Sequence, residues 1–316
     1  MKALVFTTYG NPKEVLKFTE IEKPIPKENE VLIKVKSTTI NDYDWSLVRG
    51  RPKLYQLMFG LFKPKHTIPG MELSGIVEEI GSKVTMLKVG DHVYGDISEL
   101  GFGTFAEFIA VNEKTVKVKP PELSFEQAAA IPHAGLLAYQ ALDKLEENQK
   151  VLINGAGGGV GTIALQIAKH HNCFVTGVDS QAKSQMMKDL GFHHVIDYKQ
   201  TDFTKTGEQY DFILDCKSKK SAFSYLKALK PKGTYVSVGG DLTKLIGILF
   251  WGKVLSLFNK KKLEILALKP NQGLEELNSR FSIKSYIDGP YKPEEIPGLI
   301  QYFGEGKHKG KIVINF

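Results

Sequence analysis

Val151-Leu152-Ile153-Asn154-Gly155-Ala156-Gly157-Gly158-Gly159-Val160-Gly161 decides how this chain folds. An apolar strand runs into a turn made almost wholly of glycine, and a helix opens on the far side. In that helix Val160, Ile163, Ala164, Ile167 and Ala168 fall at i, i+3, i+4, i+7 and i+8, one apolar face. A second apolar run, Phe174 to Val178, ends at Asp179, 21 residues after Gly158. Strand, glycine turn, helix, strand and acid in that order form a dinucleotide fingerprint, here with Ala156 at the first glycine position. The physical logic is specific. Gly158 lets the backbone approach a pyrophosphate, and Gly161 lets the helix lie close on the strand. The free N–H groups of the helix start, from Ala156 and Gly157 through Gly159 and Val160, then face the anion. The rival reading is a glycine-rich packing turn.

Outward from this turn the alternation continues. His194–Ile196, Phe212–Leu214 and Tyr235–Val238 read as strands separated by helical stretches, which argues for a parallel sheet with crossover helices. Upstream the text is different. Glu30-Val31-Leu32-Ile33-Lys34-Val35 and Ser74-Gly75-Ile76-Val77-Glu78-Glu79-Ile80 are short, β-branched runs bounded by Gly, Pro or Asn, and the first 120 residues read as β structure. Pro120-Pro121 marks a stop, and Ser124-Phe125-Glu126-Gln127 carries a helix-start signature. The end, Lys311-Ile312-Val313-Ile314-Asn315-Phe316, is strand-like again. A length of 316 residues allows about two domains.

Composition narrows the function. Apolar residues make up 42% and charged residues 24%, ordinary for a globular chain. The net charge is +7, but the arginines are Arg49, Arg51 and Arg280 and the remaining basicity is scattered lysine. Arginine makes the bidentate forks that read phosphates and bases, so nucleic-acid binding is excluded as a leading class; an anionic small molecule fits the mild excess. Cys173 and Cys216 cannot build a disulfide framework. With Met1-Lys2-Ala3-Leu4-Val5-Phe6 running straight into a strand pattern, the expected compartment is the cytoplasm. The apolar stretch Leu242 to Phe258 is broken by Lys244 and Lys253 and falls short of the ~18 clean apolar residues of a spanning helix; it suits a substrate cover, a dimer face or peripheral contact with a membrane.

Several segments together carry a resemblance. They are Ile40-Asn41-Asp42-Tyr43-Asp44-Trp45 with Arg49-Gly50; Pro69-Gly70-Met71-Glu72-Leu73-Ser74-Gly75; Val89-Gly90-Asp91-His92-Val93-Tyr94-Gly95; Gly103-Thr104-Phe105-Ala106-Glu107-Phe108; and the glycine turn. In this order they resemble the medium-chain dehydrogenase/reductase superfamily, in its zinc-independent quinone oxidoreductase branch. The resemblance implies an α/β protein with a GroES-like β-rich catalytic domain, residues 1–122 and 267–316, and a Rossmann doubly wound parallel-sheet domain, residues 123–266. It implies a cofactor held where the two meet, and a homodimer. Zinc-dependent members place a cysteine near Asn41 and a histidine between Gly70 and Glu72. Here no cysteine precedes Cys173 and Met71 stands at the histidine position, so no metal is expected.

Without a Lewis acid, oxidising an unactivated alcohol is hard, whereas hydride donation to a quinone or a conjugated enone is feasible because the conjugated system spreads the developing charge. The expected reaction is therefore NADPH-dependent reduction of a quinone or an α,β-unsaturated carbonyl compound. The rivals are an enoyl-thioester reductase on the same fold and a non-catalytic NADP(H)-binding protein. The resemblance places Asn41 near the nicotinamide as an amide donor and offers Tyr43 and His133 as proton donors. Ser180, Lys183 and Tyr198 match positions that hold the 2′-phosphate of NADPH, while Asp179 sits where an acid holds the ribose of NAD(H); NADP(H) is favoured, with NAD(H) as the alternative. Gly239 and Gly240 are expected beside the nicotinamide, and Lys269-Pro270-Asn271 against the cofactor. Asp44 is read as a loop-orienting residue acting with Arg49.

Overall fold

The computed structural model describes residues 1–99 and 101–316, with side chains described outside Met58, Lys253 and residues 255–259. Contacts divide the chain into two units. The first comprises Met1–His133, Pro270–Gln272 and Tyr286–Phe316; the second comprises Ala134–Lys269 and Gly273–Ser285.

The first unit opens with an antiparallel pair, β1 (Lys2–Val5) and β2 (Lys17–Glu20). Its main sheet is built on β3 (Glu30–Thr39), β4 (Glu72–Ile80), β5 (His92–Asp96), β6 (Phe108–Asn112) and β7 (Lys117–Val118). The long β3 pairs with β4 along one edge. Its other edge is shared, with β6 against Glu30–Lys34 and a returning C-terminal strand against Ser37–Thr39. Val31, Ile33 and Val35 bury one side of β3 against Leu73, Val77, Val93 and Val111. A second cluster gathers Leu4, Phe6, Ile40, Leu47, Phe105 and Ile300. Full burial of each such aliphatic contributes about 1.5–3 kcal/mol.

The second unit is a parallel sheet of β8 (Lys150–Asn154), β9 (Phe174–Asp179), β10 (His194–Asp197), β11 (Tyr210–Asp215), β12 (Leu229–Ser237) and β13 (Lys262–Ile265). The spatial order is β10-β9-β8-β11-β12-β13. This is the doubly wound dinucleotide-binding order, and it reverses direction between β8 and β11. The alternation of strand and helix patterns foretells it up to β12. The edge strand β13, Lys262-Leu263-Glu264-Ile265, is half charged and gave no strand signal.

The chain then returns to the first unit with β14 (Ile287–Tyr291) and β15 (Lys311–Asn315), the latter antiparallel to β3. At the crossing out of the first unit, Ser124 caps the helix Phe125–Ala129 by accepting from the Gln127 N–H at 3.2 Å. That helix lies against β3 and β4: Ser74 Oγ donates to the Phe125 carbonyl at 2.6 Å, so residues 123–133 cluster with the first unit.

Three helices interrupt the expected β text, Pro12–Val15, Asp42–Arg49 and Lys53–Phe59. The apolar stretch after β12 forms the helix Leu242–Asn259. Among its described side chains, Ile248 is buried while Ile246, Leu249, Phe250 and Trp251 are exposed. Leu255, Leu257 and Phe258 of that stretch lie outside the described side chains. Among the described residues, no helix is long and apolar enough to cross a membrane.

Candidate functional site

The glycine turn stands at the carboxyl end of β8, on the strand flanking the reversal of strand order. Gly158 is the N-cap of the helix Gly159–His170, so no side chain occupies the first helical N–H groups. Gly161 is required by contact: a Cβ there would stand 2.5 Å from the Ala156 Cα and the Gly155 carbonyl oxygen. Gly157 is closely packed too: a Cβ there would stand 2.5 Å from the Lys183 side chain, which would have to shift. The cradle is what a bound pyrophosphate needs: backbone donors, a helix N-terminus, and no side chain in the way.

Asp179 ends β9 and turns its carboxylate inward. It accepts from the Gly157 N–H at 2.9 Å and the Ser180 N–H at 2.8 Å, and the Lys183 ammonium lies 3.4 Å away. Asp179 and Lys183 are both buried. The acid that argued for NAD(H) is thus paired, and it braces the turn. Tyr198 follows β10 and donates its backbone N–H to the Asp179 carbonyl at 3.1 Å; its ring is exposed. Ser180, Lys183 and Tyr198 therefore gather at the carboxyl ends of β9 and β10. Gly239 and Gly240 follow β12, where a Cβ on Gly240 would stand 2.3 Å from the Lys217 carbonyl oxygen.

The first unit holds a second constellation, assembled from distant segments. Asn41 follows β3 and is buried. Its Nδ2 donates to Glu72 Oε1 at 3.0 Å and to Thr39 Oγ1 at 3.3 Å, and its Oδ1 accepts from the Lys311 ammonium. Glu72 on β4 is fully buried; it also accepts from the Thr39 hydroxyl and pairs with Lys311 of β15. Both hydrogens of the Asn41 amide are thus used inside the protein, where a donor to substrate was expected. Asp44 receives the Asn41 N–H and the Gly70 N–H, each at 2.8 Å. Burial pushes its carboxyl up to about 7 against the pull of those two donors. Arg49 lies over the Trp45 ring at 3.9 Å.

His133 completes the constellation. Its backbone N–H donates to Glu72 Oε2 at 2.8 Å, and its Nδ1 stands 2.8 Å from Asp96 Oδ2. Burial alone would lower the imidazole and raise the carboxylate; their mutual hydrogen bond and charge outweigh it. The histidine is held above its ordinary value and the aspartate below. Tyr43 meets the His133 ring edge-on at 6.4 Å and also packs against Tyr55 and Phe102, with Phe59 beyond. Desolvation raises the Tyr43 hydroxyl and pushes Tyr55 up to about 12. Asn271, from the segment expected against the cofactor, bonds the Asp96 backbone, accepting from its N–H at 2.9 Å and donating to its carbonyl at 2.7 Å.

Sequence reasoning missed Glu72, Asp96 and Lys311 as site residues. Only Lys311 carried a signal, a charge opening the apolar strand Lys311–Asn315; the strands of Glu72 and Asp96 hold other polar residues that mask theirs.

Two family models match the chain: the alcohol dehydrogenase GroES-like domain over residues 27–121 and the zinc-binding dehydrogenase domain over residues 159–268. A 2-methylene-furan-3-one reductase of Solanum lycopersicum is 32% identical, over 100% of this chain and 79% of the relative. A chloroplastic quinone-oxidoreductase homolog of Spinacia oleracea is 30% identical, over 99% of this chain and 98% of the relative. The solved quinone oxidoreductase of Coxiella burnetii superposes with a TM-score of 0.86 at 28% identity, covering 100% of this chain and 99% of that one.

The zinc that the second model's description implies does not suit this donor set. Met71 is buried without a metal-binding nitrogen, the Asn41 amide is committed, and the Lys311 ammonium holds the flank of Glu72. Among the described residues, no group of three or more His, Cys, Asp or Glu stands together as a metal site. A GroES-like antiparallel unit, a Rossmann sheet with its glycine turn, and full-length likeness to quinone oxidoreductases lead to one placement: the chain belongs to the medium-chain dehydrogenase/reductase superfamily, among its quinone oxidoreductase-like members.

Proposed function

We propose that the protein is an NADPH-dependent, metal-free reductase of quinones or α,β-unsaturated carbonyl compounds. The observation that carries this reading is the uncapped glycine turn at the reversal of strand order, braced by Asp179, which is paired with Lys183. The backbone of Ala156, Gly157, Gly158, Gly159, Val160 and Gly161 would hold the pyrophosphate. Ser180, Lys183 and Tyr198 would take the 2′-phosphate, and Gly239 and Gly240 would pass beside the nicotinamide. A bound reduced nicotinamide supplies a hydride and the electron pair that goes with it.

The chain's own residues do the rest. Tyr43, Tyr55, Phe59 and Phe102 offer a planar conjugated acceptor aromatic faces and edges to stack on. Tyr43 and Tyr55 among these rings, and His133 and His66 against them, carry a transferable proton, and Tyr43 and His133 are the proposed donors. Asn41 is assigned to the buried network that fixes Glu72 and Lys311, rather than to the substrate. The zinc-free reading rests on the donor set, and a reducing, cytoplasmic setting is supported by two free thiols, Cys173 and Cys216. The exposed apolar residues of the helix Leu242–Asn259 support contact with a second copy or with a membrane surface.

NADPH oxidation measured against a panel of quinones, enones and enoyl thioesters tests the assignment, alongside equilibrium binding of NADPH and NADH. Turnover with quinones or enones and tighter binding of NADPH are expected. Preference for enoyl thioesters would transfer the protein to the rival reductase class. Tight NADPH binding without turnover would make it a binding protein, and tenfold tighter binding of NADH would sink the phosphate-pocket assignment.

A further inference from the structure

Asp96 is an immobilised carboxylate. It is fully buried at the end of β5. Its Oδ1 accepts from the Ser98 N–H at 2.9 Å, its main chain is clamped on both sides by the Asn271 amide, and its Oδ2 faces His133 Nδ1. A carboxylate accepts, so Nδ1 carries the hydrogen, and the proton that can leave sits on Nε2. That nitrogen has no hydrogen-bond partner among the described residues, yet it is not among the buried atoms left unsatisfied: it keeps solvent access from a ring that is 7% exposed. The ring is held by its Nδ1 contact with Asp96, its backbone N–H is tied to Glu72, and the Tyr43 ring packs against it at a steep angle. A histidine oriented on one nitrogen and open on the other, beside an aromatic wall, is arranged to hand over a proton.

We propose that Asp96 and His133 form the proton-delivery pair of the reduction, with His133 Nε2 protonating the carbonyl or quinone oxygen and Asp96 acting as a positioning residue. The inference rests on the reductase reading above. The substrate's β-carbon gains the hydride of the reduced nicotinamide, and the carbon–carbon π pair shifts so that charge collects on the carbonyl oxygen. The Nε2–H bond breaks as the O–H bond forms, leaving a neutral imidazole that water reprotonates; the enol then tautomerises. In a quinone the same proton completes the hydroquinone oxygen. The charged and titratable groups facing the imidazole are Asp96 from β5, Glu72 from β4, Lys311 from β15 and Tyr43 from the helix Asp42–Arg49. Lys311 opposes the two carboxylates, whose net effect keeps His133 protonated above the usual imidazole range.

The test uses His133→Gln, Asp96→Asn and Tyr43→Phe in the full chain. H133Q should lower kcat for enone reduction roughly 10²- to 10⁴-fold, the range of general acid catalysis, with NADPH affinity unchanged. D96N should lower kcat less, and its alkaline fall-off should move to lower pH. Independent of turnover, NMR titration of the unliganded protein should show the His133 ring titrating at lower pH in D96N than in wild type. Two outcomes overturn the pair while leaving the reductase reading intact: full kcat and an unchanged pH profile in H133Q, or a loss confined to Y43F. An unmoved His133 titration in D96N removes Asp96 from it. Absence of wild-type turnover with every acceptor overturns both readings together.

Discussion

Two buried lysine–carboxylate pairs do different work in this molecule. Lys183 and Asp179 are four residues apart, at the end of one strand, and their contact is made as soon as that strand and turn exist. Asp179 keeps two backbone donors besides, so its charge is shared among three partners. Lys311 and Glu72 lie on strands far apart in the sequence, β15 and β4; Glu72 is fully buried and Lys311 nearly so. Glu72 there collects Thr39, Asn41 and the His133 N–H as well, which makes one carboxylate the junction of β3, β4, β15 and the helix Pro132–Ala141. The first pair is a local brace on a binding turn. The second is a long-range lock that sets the positions of Asn41 and His133. A buried charge is expensive, so each pair holds only while both partners remain.

The sharpest way to break this contrast is to remove one lysine at a time. Lys311→Met strands a fully buried carboxylate and should destabilise the protein by about 3–5 kcal/mol in denaturant titration, with Lys311→Met/Glu72→Leu recovering most of that loss. If the single variant costs under about 1 kcal/mol, Glu72 has water access and the lock does not exist. Gly161→Val drives a side chain into Ala156; about 1–3 kcal/mol of strain should appear as a roughly tenfold or greater weakening of NADPH in calorimetry. Lys183→Met, at the local pair, should be milder for folding, about 1–3 kcal/mol, because Asp179 retains its two N–H donors. It should weaken NADPH more than NADH, and equal loss for both would separate the brace from phosphate recognition.

Smaller again is the pH response of the Asp96–His133 contact. His133 is raised, so its stabilisation is complete below the ordinary imidazole value of 6.5 and is lost as pH rises through its folded value. Asp96 is depressed, so its contribution is complete above 3.8 and is lost as pH falls through its folded value. Thermal melts should therefore show a plateau between these values, and H133Q should flatten the alkaline decline. The smallest effect is expected at the surface. Phe250→Asp should change stability by under about 0.5 kcal/mol, while any dimerisation or vesicle binding through the apolar helix should fall in sedimentation assays.

The same contrast explains what could be read beforehand. The second unit was legible because its signals are local. Apolar runs at strand length, a glycine turn and a helix of 3.6-residue period sit side by side, and the Rossmann order follows from crossover rules. Ser124 and its helix were visible for the same reason. The helices Asp42–Arg49 and Lys53–Phe59 were not, because at 8 and 7 residues each is about two turns, too short for a period to stand out from the β text around it. The lock around Glu72 was invisible because it belongs to no segment. Lys311 reads as an ordinary charge opening a strand until β15 is laid beside β3. Asp96 reads as a turn residue until Asn271 and His133 are brought to it. Asn41 illustrates the limit from the other side: its position was recognised, but which oxygens its amide would meet depended on residues far away in the chain.

The placement of Lys311 also bears on how the protein is made. Glu72 leaves the ribosome 239 residues before its counter-ion. At bacterial-to-eukaryotic synthesis speeds of about 5–20 residues per second, that gap lasts roughly 12 to 50 s. Throughout it, an acidic group destined for a dry interior lacks its Lys311 partner, and closure of the nascent antiparallel unit should wait for it. The parallel sheet, drawn from one continuous stretch, has its strands in hand well before then. Vectorial synthesis should thus finish the parallel unit first and the antiparallel unit last.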